Sequence, residues 1–512
     1  MPVPQRDLVP PQPPEGAEHL DVLIFGAGIS GIGAACYLQA RNPGKTYAIL
    51  EARPDLGGTW DLFRYPGVRS DSDLYTFGYE FKPWTDRDSI ASADKILAYL
   101  RETVAENGIE RRIRFGHKVV STSWSSQQAR WTVVVDRGGE QVTFTCNWIF
   151  SATGYYRYDE GYTPSFEGRD RFAGQIVHPQ HWPADLDYAG KRVVIIGSGA
   201  TAVTLAPAMA RTAAHVTILQ RTPTYILSAP TVDSVAMKLR RLLGEDRAHP
   251  LIRRKSIATQ RAIWLFCQRF PRTARKLIRH FTIRQLPAGY PVDVHFNPPY
   301  EPWDQRLCLV PDGDLFRALR EGQASMVTDR ITTFTERGIE LESGGVLDAD
   351  VIVTATGLNL LPFGGISITV EQEPVSLGGK VSYKGMMLSD IPNLAYAIGY
   401  TNSSWTLKVG LLCEHFCRLL DHMDKHHYDI CYPQVPDPGM ATRPLLDFGA
   451  GYVRRSIDDL PRQGAKAPWL TSMNYHADVR LLRKSPVIDG HLRFTKVGAR
   501  QSGTAERDEA VV

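Results

Sequence analysis

Asp21-Val-Leu-Ile-Phe-Gly26-Ala-Gly28-Ile-Ser-Gly31, followed by Ala48-Ile-Leu50-Glu51, has a near copy later in the chain: Val193-Val-Ile-Ile-Gly197-Ser-Gly199-Ala-Thr-Ala202, followed by Val216-Thr-Ile-Leu-Gln220-Arg221. Each stretch reads as an apolar strand, a glycine turn, a helix and a second strand, the setting in which this glycine spacing signals dinucleotide binding. Glycines there let backbone N–H groups approach a pyrophosphate at a helix N-terminus. The residue that ends the second strand meets the adenosine ribose. Glu51 suits a free 2′-hydroxyl; Arg221, with Thr222 beside it, suits a 2′-phosphate. The pattern therefore predicts FAD at Gly26, Gly28, Gly31 and Glu51, and NADPH at Gly197, Gly199, Ala200, Thr201, Ala202, Arg221 and Thr222.

A chain of 512 residues exceeds one ordinary core, so two or three domains are expected. A net charge of +4 with no basic stripe interleaved with aromatics argues against a nucleic-acid partner. The seven cysteines are scattered, none in a C-x-x-C pair, which fits a reducing, cytoplasmic setting and disfavours a redox dithiol. Cys413 and Cys417, one helical turn apart, read as buried packing rather than metal ligands, and the pair His426-His427 has no further ligands at metal spacing; no metal is expected. The Pro-rich start, Met1 to Pro14, lacks the apolar core of a signal peptide and reads as a disordered leader over residues 1–18. No run approaches the roughly 20 apolar residues of a membrane span.

The expected fold is α/β: two Rossmann-like dinucleotide-binding domains, for FAD and NADPH, the second nested in the first, with a helical insertion. The FAD-binding domain takes residues 19–158 and, with a C-terminal extension, 385–512. The NADPH-binding domain takes 159–230 and 305–384, and the insertion 231–304. Phe150-Ser-Ala-Thr-Gly154 and Ile352-Val-Thr-Ala-Thr-Gly357 are matching strand ends where backbone can pass close to a cofactor. Between Ser234 and Tyr290 helical periodicity dominates, and basic residues are dense while Glu245 and Asp246 are the only acids. Two readings stand: a solvated basic face, or a membrane-surface patch that favours apolar substrates.

Between the two nucleotide units lies Phe172-Ala-Gly174-Gln-Ile-Val-His178-Pro-Gln-His-Trp182-Pro183. From composition alone it could be a packed interdomain hinge with a satisfied histidine. Its pattern, F-x-G-x-x-x-H-x-x-x-W-P, resembles the fingerprint of type I Baeyer–Villiger monooxygenases, the class B flavoprotein monooxygenases. Further matching stretches are Gly57-Gly58-Thr59-Trp60, Arg64-Tyr-Pro-Gly67, Trp303-Asp-Gln-Arg306-Leu and Thr401-Asn-Ser-Ser-Trp405-Thr-Leu-Lys408, so the resemblance runs from about Asp21 to Phe494. Within the family the chain is most similar to the mycobacterial-type enzymes that oxidise ketones and activate thioamide prodrugs such as ethionamide.

The resemblance implies an NADPH- and O2-dependent monooxygenase that turns ketones into esters or lactones through a C4a-peroxyflavin and also oxygenates sulfides and thioamides. It places the peroxide-stabilising arginine at Arg306 and its carboxylate partner at Asp71. It sets Gly58, Thr59 and Trp60 beside the flavin, with Asp61 and Asp71 in the segment that follows. An arginine suits the role because it keeps its charge in a dry site where lysine need not. His178 falls to interdomain coupling, since oxygen insertion needs no obvious protein base. Many relatives carry a lysine before the arginine to help read the 2′-phosphate; here Gln305 stands there, which throws that task onto Arg221 and Thr222. The alternatives are a flavin N- or S-monooxygenase without ketone insertion, a disulfide reductase, which the missing dithiol disfavours, and a nucleotide-responsive binding protein. The sequence is silent on oligomeric state.

Overall fold

Strand β1 (Glu18–Phe25) is buried along its last four residues, as an apolar run in a parallel sheet must be, and it stops at Gly26, where φ is +98°. A computed structural model of the chain, which describes residues 16–305, 307–446, 449 and 451–497, supplies the reason for the glycine. A Cβ at Gly26 would lie 2.8 Å from the carbonyl oxygen of Ala152 on the neighbouring strand end. Helix α1 (Ile29–Arg41) leaves from Gly28 and the chain returns along β2 (Tyr47–Leu50), parallel to β1. Arg306 and the leader up to residue 15 lie outside the described residues.

Two short helices, α2 (Thr59–Leu62) and α3 (Leu74–Phe77), and the longer α4 (Ala93–Glu106) lead to β3 (Ile113–Arg114), which extends the sheet beside β2. A meander of β4 (Lys118–Ser125), β5 (Arg130–Arg137) and β6 (Glu140–Ser151) follows. Strand β6 is the spine of the unit. It pairs antiparallel with β5 along its first half and parallel with β1 from Phe144 to Ser151.

At β7 (Tyr156–Gly161) the chain crosses into a second unit. Strands β8 (Gln175–Val177) and β9 (Arg192–Ile196), helix α5 (Ala200–Met209) and β10 (His215–Gln220) repeat the strand–turn–helix–strand arrangement. The insertion then departs through β11 (Ile226–Ala229) as helices α6 (Ser234–Leu243), α7 (Glu245–Arg269), α8 (Pro271–Gln285) and α9 (Val292–His295). It returns through β12 (Cys308–Pro311), paired with β11, and helix α10 (Asp314–Arg320). Strand β13 (Ala324–Thr328), an antiparallel trio β14 (Ile331–Thr335), β15 (Gly338–Leu341) and β16 (Val346–Asp348), and β17 (Val351–Thr354) complete the unit. Its main sheet is parallel throughout, in the order β13-β10-β9-β17-β8. The nested arrangement expected from the sequence is present.

One boundary differs from the expected one. Strand β18 (Leu358–Leu360) pairs with β7, so a two-stranded ribbon marks where the chain crosses out and back. Strand β19 (Ser367–Val370) pairs with β4 of the first sheet, and Ile368 packs in the same core as Trp124 and Trp131. Residues 358–384 thus belong with the first unit rather than the second. The last strand of the inner sheet region, β23 (Leu394–Tyr396), pairs with the end of β6, after the short β20 (Glu373–Pro374), β21 (Ser382–Tyr383) and β22 (Met387–Leu388). Helix α11 (Trp405–His426) follows and packs on α1. Cys413 and Cys417 are part of its buried face.

The insertion also grips the first unit. The first half of α7 buries Ala248, His249, Ile252 and Arg253. The Arg253 guanidinium, 7% exposed, donates to the carbonyls of Tyr75 (3.1 Å) and Gly78 (2.9 Å). A buried charge satisfied by backbone carbonyls fixes the helix in place.

Beneath α11, the His415 ring is 1% exposed. Its Nδ1 lies 2.9 Å from the Leu482 carbonyl oxygen and its Nε2 3.4 Å from the Lys384 ammonium. Nδ1 therefore carries the proton and donates, and Nε2 accepts. Burial, with the Lys384 charge adding, pushes its pKa from 6.5 down to about 3. The unfolded chain takes up a proton below pH 6.5 that the folded protein refuses, so this group removes stability as pH falls from that value towards about 3. The stability difference between pH 8 and pH 5 measured by urea unfolding should shrink by about 2 kcal/mol in His415→Asn. An unchanged pH slope in the variant would refute the assignment.

Candidate active site

Both glycine turns open onto one cavity of about 1570 Å³, larger than the roughly 300–1,000 Å³ of a pocket for one small molecule. From the first unit Gly26, Gly28, Glu51, Gly58, Thr59, Trp60 and Asp71 line it. From the second come Gly197, Gly199, Ala200, Thr201, Arg221 and Thr222. Sites expected on separate segments are thus parts of a single space.

The first side fits FAD on its own geometry. Glu51 is 6% exposed; its Oε2 accepts from the Ala27 N–H (2.7 Å) and its Oε1 from the Arg53 N–H (2.9 Å). Each oxygen keeps a lone pair for a ribose hydroxyl. Burial raises the Glu51 pKa, and the two backbone bonds oppose that rise. Gly28 lies against Gly58, whose Cα would be 3.6 Å from an added Cβ, so the two backbones form one bare cradle. Trp60 does two jobs. It faces the cavity, and its ring meets Phe77 edge-on at 5.7 Å.

The second side fits a phosphorylated dinucleotide. Beyond Gly199 an added Cβ would meet nothing within 4 Å, which leaves open space at the start of α5. Arg221 follows β10 and is exposed, with no ion pair among the described residues. Arg330, which the sequence reading missed, stands near it. Strands β10 and β13 are parallel with Gln220 opposite Thr328, so the residues just past both strand ends reach the same rim. Arg330 is also exposed and without an ion pair among the described residues. Asp329 and Glu342 share that rim. The Asp329 carboxylate accepts from the N–H groups of Arg330 (2.7 Å) and Ser343 (3.3 Å), and the Ser343 and Arg330 bonds hold its pKa below the usual range.

Several expected contacts lie off the cavity. Asp61, 1% exposed, is enclosed by Arg53 (2.5 Å) and Arg64 and ties these two arginines together. Gly31 and Ala202 are packing positions: a Cβ on Gly31 would strike the Gly26 carbonyl, and Ala202 sits in the core of the second unit. Of the pair expected to be catalytic, Asp71 lines the cavity, while Arg306 is outside the described residues; its neighbours Gln305 and Cys308 both face the cavity.

The linker fingerprint does not reach the cavity at all. Phe172 is core, and a Cβ at Gly174 would lie 2.4 Å from the Asp350 carbonyl. Trp182 packs against the second core, with Pro183 after it. His178 Nδ1 accepts from the Gln180 N–H (3.2 Å), so Nε2 carries the proton and donates to the Gly357 carbonyl (3.2 Å). Burial lowers the His178 pKa, which favours this neutral form.

The segment after β23 adds a buried triad the sequence did not reveal. Tyr400, Thr401, Asn402 and Ser403 line the cavity. The Tyr400 hydroxyl donates to Asp478 Oδ2 (2.7 Å), and the fully buried Lys408 ammonium lies 3.1 Å from the same oxygen. Lys408 also donates to the Ser472 carbonyl (2.8 Å). Burial pushes Lys408 down and Asp478 up, and their mutual attraction opposes both shifts. Arg454 and Arg455 close another side; Arg455 lies over the Tyr162 ring at 3.4 Å and donates to the Leu358 carbonyl.

Known proteins resemble this chain along its length. The sequence model of the flavin-binding monooxygenase-like family matches residues 20–274. The FAD-containing monooxygenase EthA of Mycobacterium tuberculosis is 54% identical over 480 residues, 94% of this chain and 98% of EthA. Among solved structures, an oxidized steroid monooxygenase bound to NADP aligns with TM-score 0.74 at 22% identity over 93% of this chain and 100% of that one. A cyclohexanone monooxygenase in an open form aligns with TM-score 0.73 at 19% identity, covering 94% and 100%. The two structures share the fold.

Removing Asp478 would strand the Lys408 ammonium in the interior. Asp478→Ala should cost about 3–5 kcal/mol in urea or thermal unfolding, and Lys408→Met/Asp478→Leu much less. Equal losses in both variants would show that packing, and not charge compensation, is what the pair supplies.

Proposed function

The chain belongs to the family of FAD-containing monooxygenases, and from that premise we propose that it inserts one oxygen atom of O2 into ketones with NADPH as the reductant. The reaction is ketone + NADPH + H⁺ + O2 → ester or lactone + NADP⁺ + H2O. Sulfides and thioamides are further substrates in this reading. The observation that carries it is a single cavity faced by two dinucleotide turns, one ending in the carboxylate Glu51 and the other in the guanidinium Arg221. The name of a fold neighbour, a cyclohexanone monooxygenase, agrees with a ketone substrate.

Bound flavin supplies the two-electron chemistry and the activation of O2. The protein's own groups do the rest. Glu51 holds the FAD ribose, and Gly26, Gly28 and Gly58 leave bare backbone for its pyrophosphate. Arg221 and Arg330 together bind the 2′-phosphate of NADPH, with Thr222 beside them. Arg306, which the family resemblance pairs with Asp71, would give the reacting centre a cation that cannot lose its proton and so favours negative charge there. His178 couples the units and takes no part in proton transfer. Trp60 and the Tyr400–Ser403 segment bound the space beside the ring. Seven buried cysteines with no C-x-x-C pair support a reducing, cytoplasmic setting.

Arg221→Ala and Arg330→Ala should each raise KM for NADPH by roughly tenfold or more while leaving KM for NADH nearly unchanged, the loss expected for a charge-assisted phosphate contact. Equal effects on both nucleotides would remove these arginines from the 2′-phosphate.

Arg306→Ala should still bind FAD and be reduced by NADPH, yet form no ester from a methyl ketone, as read by mass spectrometry of the products. Ester from this variant would mean that the arginine is misassigned. Sulfoxide without ester from the wild-type protein would point instead to an S-oxygenating enzyme that does not insert oxygen into ketones.

A further inference from the structure

The helical insertion carries a surface that the oxygenation chemistry does not use. Thirteen of the nineteen large apolar side chains exposed on the described residues lie between Val235 and Val294. Their placement on α7 is specific. Its first half sets Ala248 and Ile252 into the first unit. At helical spacing the same stripe continues as Ile263, Phe266 and Phe270. These are 47%, 37% and 50% exposed. A face built for burial therefore runs off the edge of the protein. On α8, Leu277 and Phe281 (51% exposed) flank the buried Ala274, Ile278 and Thr282 in the same way.

Cations surround this edge. From Ser234 to Tyr290 the chain has fourteen Lys and Arg against two acids, in a protein whose net charge is only +4, so the remaining segments together are net negative. Arg254, Arg269, Arg272, Lys276 and Arg284 are exposed and make no ion pair among the described residues. The charge decides the occupant. A second copy would bring the same cations face to face, whereas a surface with an apolar layer beneath negative groups satisfies both features at once. Among the described residues no helix is long and apolar enough to cross a membrane, so such a contact is peripheral.

We propose that the exposed apolar edge of the α7–α8 hairpin, with its rim of unpaired cations, seats the protein on an anionic lipid bilayer. Aromatic and aliphatic side chains enter the acyl boundary, and the arginines and lysines stay at the level of the headgroups. The proposal does not depend on which substrate the cavity oxidises.

Sedimentation of the FAD-loaded full chain with vesicles tests it. Binding is expected to vesicles of phosphatidylcholine with phosphatidylglycerol and to be at least about tenfold weaker to phosphatidylcholine alone. Raising salt to about 0.5 M should weaken it. Phe266→Ser/Phe270→Ser/Phe281→Ser should lower binding at least about tenfold, with NADPH oxidation on a water-soluble substrate unchanged. The purely surface variant Arg272→Glu/Lys276→Glu should lose the preference for anionic vesicles. Failure of wild type to bind anionic vesicles, or undiminished binding by either variant, overturns the proposal. So does a concentration-dependent dimer in sedimentation velocity that the apolar variant abolishes, since that would make this edge a self-association face.

Discussion

A carbonyl oxygen packed where a Cβ would have to stand is the constraint from which both nucleotide sites follow. Strands β1 and β6 are in parallel register with Phe25 opposite Ser151, so the next residues, Gly26 and Ala152, meet at the strand ends. Strands β9 and β17 repeat this with Ile196 opposite Thr354, and a Cβ at Gly197 would lie 2.3 Å from the Ala355 carbonyl oxygen. Any side chain at either glycine would push the paired strands apart. The chain must therefore turn there with bare backbone and open a crevice at the carboxyl ends of the strands, where a helix begins and an anion is welcome. One register rule, used twice, makes one cavity from two units.

That rule explains what the sequence made legible. The glycine turns, the opposite charges of Glu51 and Arg221, and the two Ala-Thr-Gly strand ends are local patterns, and local patterns survive in one dimension. The unit boundary did not, because β19 has only four residues and its partner β4 lies 246 residues earlier (Ser367 opposite Ser121), a pairing no short window encodes. Arg330 was hidden for the same reason. It shares the rim with Arg221 only through the parallel register of β10 and β13. Gly31 and Ala202 show the reverse error, since the third position of the motif answers to helix packing and not to ligand contact. Asp61 was expected at the cofactor because of where it falls in the chain, yet its charge is spent on two arginines.

The fingerprint between the units has a structural logic of its own. His178 donates to Gly357, two residues past the Ala355 carbonyl that packs on Gly197. Its ring also fills the place of a side chain at Gly161, where a Cβ would lie 2.1 Å from it. Gly161 ends β7, and Gly357 precedes β18, the two strands on which the chain leaves and re-enters the first unit. A neutral imidazole thus ties the turn beneath the second nucleotide to both crossings. The motif marks the joint between the units, which is why it can be so distinctive without touching the cavity.

The rim around Arg221 carries charges of both signs. Two arginines and two carboxylates share it, and a simple count would cancel them. The count misleads because the groups differ in what already satisfies them. The Asp329 carboxylate is bonded to the N–H groups of Arg330 and Ser343, and backbone dipoles offset part of its field. Arg221 and Arg330 have no such partner among the described residues and remain available to a phosphate. Gln305 lines the same cavity without a charge, and the strand beside Arg221 brings a second guanidinium to the rim.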